Sequence, residues 1–500
     1  MLSRRNVLAG AAALAASRFA AAGQVVAAPP RPRLTEDPFA LGVASGEPAR
    51  DGFVIWTRIA GLQQDAIVAW EVAADERFRR IVRTGRAAAP VARGGAVHVR
   101  VRGLAPGRRW FYRFHLAGAV SRIGRVSTIA DRPDRLRLAL TSCQHWEQGW
   151  FTGYRDMIAA DVAAVLQMGD YIYEKSFGAG TDVRSFGAPD PVTLEDYRAR
   201  HALYRSDRDL ADAHAALPFI VAFDDHEVEN DYAGVHGAIT ADSGAFMKRR
   251  AAAYQAYFEH MPLDPAALAA DGGIQLYRRF RWGDLASVHV LDTRQHRSAH
   301  ACATAEERGG RVLGNCAALD DPARTMLGHA QEAWLDDGFR REQARWTLIA
   351  QQTLFAPLAL PQGPGARYSD IWDGYGAARG RLLDALARPS VENALMLGGD
   401  VHSFWLNDVA RIPGGTPVAT EIVTSCLASR NGPEALFAPA KALNPHVRLL
   451  DNHHAGYVLL DVTLSRTEID LRAVESLADP DSATRSLARR TVAAGKAGVA

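Results

Sequence analysis

The chain has 500 residues, 48% hydrophobic and 23% charged, with a formal charge of +2 at pH 7 and four cysteines. Such a length suits two domains, and the hydrophobic share is that of a soluble globular protein. The near-neutral balance excludes nucleic-acid binding through bulk positive charge, and beyond residue 28 no run is long and apolar enough for a membrane-spanning helix.

Residues 1–28 read as a Tat signal peptide: the pair Arg4-Arg5 precedes an alanine-rich apolar stretch from Val7 to Ala22. Arg18 interrupts that stretch, which is too poor in Leu, Ile and Phe to make a good spanning helix. Cleavage is expected after Ala22 or nearer Ala28, and removal of Arg4, Arg5 and Arg18 takes the formal charge from +2 to −1. Export by the Tat machinery delivers a folded protein, often metal-loaded, to the periplasm or beyond. The expectation is therefore a secreted metalloenzyme with no stable membrane anchor and no specific nucleic-acid partner. Its oligomeric state is not encoded in any readable pattern.

After a Pro-rich linker (Pro29 to Pro38), residues 39–130 carry short alternating strands at Phe53–Arg58, Ala66–Ala73, Ala96–Arg102 and Trp110–Phe114. Turn signals such as Ala105-Pro106-Gly107 separate them, which predicts an N-terminal all-β, fibronectin type III-like sandwich that contributes packing. From 135 to 480 strands alternate with helical segments at Leu194–Tyr204, Ala245–His260, His329–Gln343 and Ala377–Ala387, the pattern of a layered α/β domain. Residues 481–500 form an Arg- and Ala-rich tail that reads equally as a final strand, a lid or a disordered end. Cys302 and Cys316 flank a loop that a disulfide would close in an oxidising compartment, two free thiols being the alternative.

Chemistry concentrates where buried strands stop. Leu136–Leu140 leads to Ser142-Cys143-Gln144, Val162–Met168 to Gly169-Asp170-Tyr171-Ile172-Tyr173, Phe219–Phe223 to Asp224-Asp225-His226-Glu227, and Ala394–Leu397 to Gly399-Asp400-Val401-His402. Loops leaving the carboxyl ends of strands converge on one crevice in layered α/β folds. A carboxylate such as Asp170 is costly there unless it is paired or bound to metal. Asp400 and His402 point the same way in an extended segment, and Gly398-Gly399 allows close backbone approach. Thiolate plus phenolate, from Cys143 and Tyr173, suits a ferric ion, while the oxygen donors Asp225 and Asn230 with Asp170 and Asp400 suit calcium.

These motifs resemble the calcineurin-like metallophosphoesterase superfamily, in the variant of the PhoD-type alkaline phosphatases. Cys143 stands where the superfamily has Asp and Tyr173 where its second motif often ends in Asp, both departures belonging to the PhoD group. Leu41–Pro48, Asp224–Asn230, Leu291–Gln295 and Trp372–Tyr375 share the likeness. It implies a layered metallophosphoesterase β-sandwich flanked by helices, Fe3+ with Ca2+, and action on phosphomonoesters and phosphodiesters. Cys143, Asp170, Tyr173, Asp400 and His402 match iron-side positions; Asp170, Asn230 and Asp400 match the calcium side. Asp225 and His226 occupy the superfamily's Asn-His position.

The metals would lower the pKa of a water, and the resulting hydroxide would attack phosphorus in line. His226 is either the acid that protonates the departing alkoxide or a hydrogen bonder to Asp170 or Asp400. Arg294 reads as part of a structural ion-pair loop in preference to a phosphate ligand, and Asp451-Asn452-His453-His454 as a solvated loop. Two alternatives stand beside the phosphatase: a phospholipase D-like phosphodiesterase on the same scaffold, and a secreted metal-binding protein without turnover.

Overall fold

Two β-sheets stack face to face in the computed structural model, which describes residues 37–178, 182–269, 272–412 and 414–499. The signal segment lies outside the described residues, all of which belong to one unit, and none of their helices is long and apolar enough to cross a membrane.

The near-continuous apolar runs resolve into alternation once their partners are seen. Leu138, Leu140, Leu166, Ile220, Leu348, Leu395 and Leu397 point between the sheets into one shared core. Their neighbours Ala139, Val165, Phe219 and Val221 face a helical layer containing Leu194–Arg205 and Ser243–His260. Ile349 and Met396 face a second layer built from His329–Arg340 and Gly376–Leu386. Side chains alternate along a strand, so a strand covered on both sides is apolar at every position. The result is a four-layer helix–sheet–sheet–helix sandwich.

Helix boundaries follow local chemistry. Thr193 caps Leu194–Arg205 in a capping box with Asp196, and Asp242 caps Ser243–His260 by accepting from Ala245 N at 2.7 Å.

The N-terminal region is all β, with its own core of Val68, Val72, Tyr112, Phe114 and neighbours. One of its layers is a separate sheet that contains Ala66–Ala73 and Arg109–Leu116. The other layer, Val43–Gly46, Phe53–Arg58 and Ala96–Val101, continues the nine-stranded sheet, since Val43–Gly46 pairs in parallel with Pro218–Ala222. Strand periodicity reveals faces but not pairing partners, so this continuity has no signature in the sequence. Ile81–Ala89, an exposed strand with weak alternation, also escapes a pattern reading.

Residues 484–493 of the tail form a strand that pairs with Arg466–Val474 at the sheet edge. Cys302 and Cys316 are disulfide-bonded, while Cys143 and Cys426 are free thiols, both buried. Asp451 Oδ1 accepts from the backbone N–H groups of His453 and His454, so that segment is a partly exposed, self-bonded turn.

Candidate metal centre

The parallel strands Arg135–Thr141, Ala164–Met168 and Pro218–Ala222 of one sheet, and Ala286–Val290, Trp346–Ala350 and Ala394–Gly398 of the other, release their chains along one rim. Close backbone packing brings the exits together. A Cβ on Gly169 would collide with Asp224, one on Gly398 with the Thr353 carbonyl, and one on Gly399 with the Ser142 side chain. Cys143, Asp170, Asp400 and His402 all sit in left-handed backbone, at φ 56°, 53°, 67° and 52°. Such strain costs of order 1–3 kcal/mol per residue and persists where the surroundings over-determine it. None of these residues is glycine, so sequence gives no hint of the conformation.

Among the described residues, four groups of side chains could each hold an ion, their ligand atoms lying within 4.8 Å of one another: Cys143, Asp170 and His402; Asp170, Asp225 and His226; Asp224, Asp225 and Asp400; Asp225, Asp231 and Asp370. Tyr173 completes the first. Its hydroxyl lies 3.0 Å from Asp170 Oδ2 and 3.0 Å from His402 Nε2. His402 Nδ1 is 2.6 Å from the Arg430 carbonyl. A carbonyl only accepts, so Nδ1 carries the ring proton and Nε2 turns its lone pair toward Tyr173. One phenol proton thus faces two acceptors, an arrangement a cation resolves. Asp170 Oδ1, Asp224 Oδ2 and Asp225 Oδ1 are buried with no hydrogen-bond partner, which is costly for carboxylates and fits metal ligation.

Electrostatics agree with this. Burial pushes the Asp170 and Asp224 carboxyls well above their usual range and the Asp400 carboxyl up to about 7. Burial, then the charge of Asp170, raises the Cys143 thiol and the Tyr173 phenol. So many acids in one dry place repel each other, and positive charge must enter for them to ionise.

Burial opposes the charged form of His226, yet Glu174, Asp225 and Asp170 outweigh it and hold its pKa well above the ordinary histidine value. Its Nδ1 is 2.7 Å from Glu174 Oε2, so its hydrogen bond runs to Glu174 and not to Asp170 or Asp400. Glu174 Oε1 also accepts from Asn230 N at 2.9 Å, placing Asn230 on the cleft wall. Glu227 accepts from the backbone N–H groups of Asp170, Tyr171 and Asp224, tying two strand exits together. Thr353 Oγ1 donates to Asp400 Oδ2. Arg294 is fully buried, bonded to Asp224 and bidentate to Asp370 at 2.8 Å for each contact, and 3.7 Å from Asp225. It is an ion-pair residue, with partners from two distant loops and none in its own. Sequence reading passed over Glu174, Thr353 and Asp370. Glu174 had a signal, being the polar neighbour of Tyr173, whereas Asp370 is recognisable only through Arg294.

Above these groups opens a cleft of about 480 Å³, with Asp170, Tyr173, His226 and Asp400 on its polar side and Leu358, Ile371, Val401, Leu436 and Phe437 on its apolar side. A family model for PhoD-like phosphatases matches residues 138–471, a span that holds every strand exit at this cleft. The chain belongs to that family. The model of the PhoD-like N-terminal domain matches residues 24–130. Alkaline phosphatase D of Bacillus subtilis (strain 168) is 38% identical over 482 residues, covering 90% of this chain and 80% of that protein. A solved structure of PhoD is 35% identical with a TM-score of 0.88, covering 94% of this chain and 93% of that one. The purple acid phosphatase PPD1 from yellow lupin seeds, 12% identical with a TM-score of 0.59 over 90% of this chain and 74% of that one, shares the fold alone. The PhoD-like fold therefore holds here as expected: a layered sandwich with flanking helices and an all-β N-terminal region. It carries a phosphatase whose described residues include groups able to hold metal ions.

Proposed function

We propose that this PhoD-like phosphatase is exported by the Tat route and hydrolyses phosphomonoesters and phosphodiesters with Fe3+ and Ca2+ in the cleft. The observation that carries the reading is the convergence of Tyr173, Asp170 and His402 on one proton beside the buried thiol of Cys143. Cys143, Asp170, Tyr173, Asp400 and His402 would hold iron, and Asp170, Asn230 and Asp400, with Asp225 beside them, calcium. Residues 39–130 would serve packing and 135–480 the chemistry.

When bound, the ions supply Lewis acidity, neutralising phosphate oxygens and acidifying the attacking water. His226 is positioned as the general acid: Glu174 fixes Nδ1, leaving the Nε2 proton to face the cleft and the departing alkoxide. Asp225 counters the imidazolium charge; against burial, Arg294 and His226 keep its carboxyl below its usual pKa. His226→Asn is expected to lower kcat by about 10²–10⁴-fold with little change in metal content, read by steady-state kinetics and metal analysis.

Tyr173→Phe should bleach the visible charge-transfer band of a ferric phenolate, checked on purified protein; a colourless, active zinc enzyme would sink the iron assignment. A calcium-selective chelator should abolish turnover while iron stays bound, with recovery on adding calcium back. Release of p-nitrophenol from its mono- and bis-phosphate esters tests the activity itself, and no release from either leaves the binding-protein alternative. The apolar wall from Leu358 to Phe437 favours a second reading, a diesterase for esters with an apolar alcohol, which choline release from phosphatidylcholine would reveal.

A further inference from the structure

Phe177, four residues after Tyr173, lines the cleft beside Tyr173 and His226. Its ring stands roughly perpendicular to both, 6.1 Å from the His226 ring at 84° and 6.3 Å from the Tyr173 ring at 70°. The His145 ring lies 5.3 Å away at 44°. Three rings thus fix the position of Phe177, yet 45% of it is exposed. The opposite wall is covered far better: Phe437 and Leu358 are 4% exposed and Ile371 0%.

A single exposed apolar residue is ordinary on a protein surface. What distinguishes Phe177 is its place, held still beside the proposed acid of the reaction. An aromatic surface already fixed loses little conformational freedom when a ligand covers it. Lys175 Nζ stands 5.9 Å over the ring, at the outer limit of a cation–π contact and on an exposed side chain that can swing aside. The departing alcohol takes its proton from His226, so the ester oxygen comes within hydrogen-bonding distance of that imidazole. Phe177 is the exposed ring next to His226, and a substituent carried directly on that oxygen meets it first.

We propose that Phe177 is a specificity-determining residue for the leaving alcohol, and that the cleft favours esters with a flat aromatic ring directly on the ester oxygen. The proposal rests on the phosphatase reading and on His226 as the acid. Two flat rings stack over a large contact with no internal rotations to freeze, which neither a puckered ring nor a chain of equal carbon count can match.

Benzylphosphonate and cyclohexylmethylphosphonate copy phenyl and cyclohexyl phosphate with a methylene in place of the ester oxygen, so they bind without being cleaved. Calorimetry on the metal-loaded protein is expected to show benzylphosphonate bound about three- to tenfold more tightly, a preference that Phe177→Leu erases and Phe177→Trp keeps. In turnover, Phe177→Leu should lower kcat/KM for phenyl phosphate relative to cyclohexyl phosphate by the same factor, and through KM, because the ring contact exists before the chemical step. If Phe177 merely buttresses His226 and Tyr173, kcat falls for both esters alike and the phosphonate ratio stays where it was, which overturns the proposal. Equal binding of the two phosphonates by the unmodified protein, or binding of neither, overturns it as well. No turnover of any ester beside an intact phosphonate preference would defeat the phosphatase reading and leave ring recognition standing. Should the leucine variant fail to fold or load metal, the unmodified protein and Phe177→Trp decide the matter.

Discussion

Cys143→Ser is expected to strip iron from the protein and lower phosphatase activity by orders of magnitude. Sulfur and oxygen differ little in volume, so a packing role alone would leave an active, slightly destabilised enzyme. A hydroxyl does not replace a thiolate on a ferric ion, so a ligand role removes the metal with the sulfur. Cys426→Ser is the control: that thiol is buried too, but donates to the Ser429 carbonyl at 3.0 Å and belongs to none of the ion-holding groups. Metal analysis and p-nitrophenyl phosphate turnover on both variants give the answer. Normal iron and full activity in Cys143→Ser would remove the residue from the centre.

Arg294→Met should be the most destabilising single change near the cleft, costing about 3–5 kcal/mol in denaturant unfolding. Methionine fills most of the space but leaves the buried Asp224, Asp225 and Asp370 without the cation they share. Arg297 still bonds Asp370 at 2.7 Å, so adding Asp370→Asn should recover only part of the loss. The pH dependence has a definite sign. Against burial, Arg294 and Arg297 depress the Asp370 pKa, so its contribution is complete above the ordinary carboxyl range and drains away as pH falls through the depressed value. A loss below about 1 kcal/mol would place Arg294 among ordinary surface-strength ion pairs.

The strand exits were legible because a polar residue after a buried apolar run is expensive, and Asp170, Asp225, Asp400 and His402 are each placed so. Helix extents were partly legible: Leu194–Tyr204 falls one residue short of the observed Leu194–Arg205, Ala377–Ala387 is off by one residue at each end of Gly376–Leu386, and His329–Gln343 overruns His329–Arg340 by three. What stayed hidden depends on contacts between distant segments. Arg294 reads as part of an ion-pair loop, but its partners Asp224 and Asp370, 70 and 76 residues away in the chain, cannot be read from it. Likewise, nothing in Val43–Gly46 announces that it will extend a sheet made by residues beyond 130.

The same nine-stranded sheet sets a timetable for the nascent chain. Arg135–Thr141 is flanked by Ala164–Met168 on one side and by Gly456–Thr463 on the other, and the sheet closes only with Thr484–Ala493. At about 5–20 residues per second, ribosomes need roughly 15–60 s to make the segment between those partners. Until then the edge of Arg135–Thr141 that receives Gly456–Thr463 has no mate. A sheet built this way is complete only as synthesis ends. The proposed Tat export would suit such late completion, since that carrier takes a finished, folded protein.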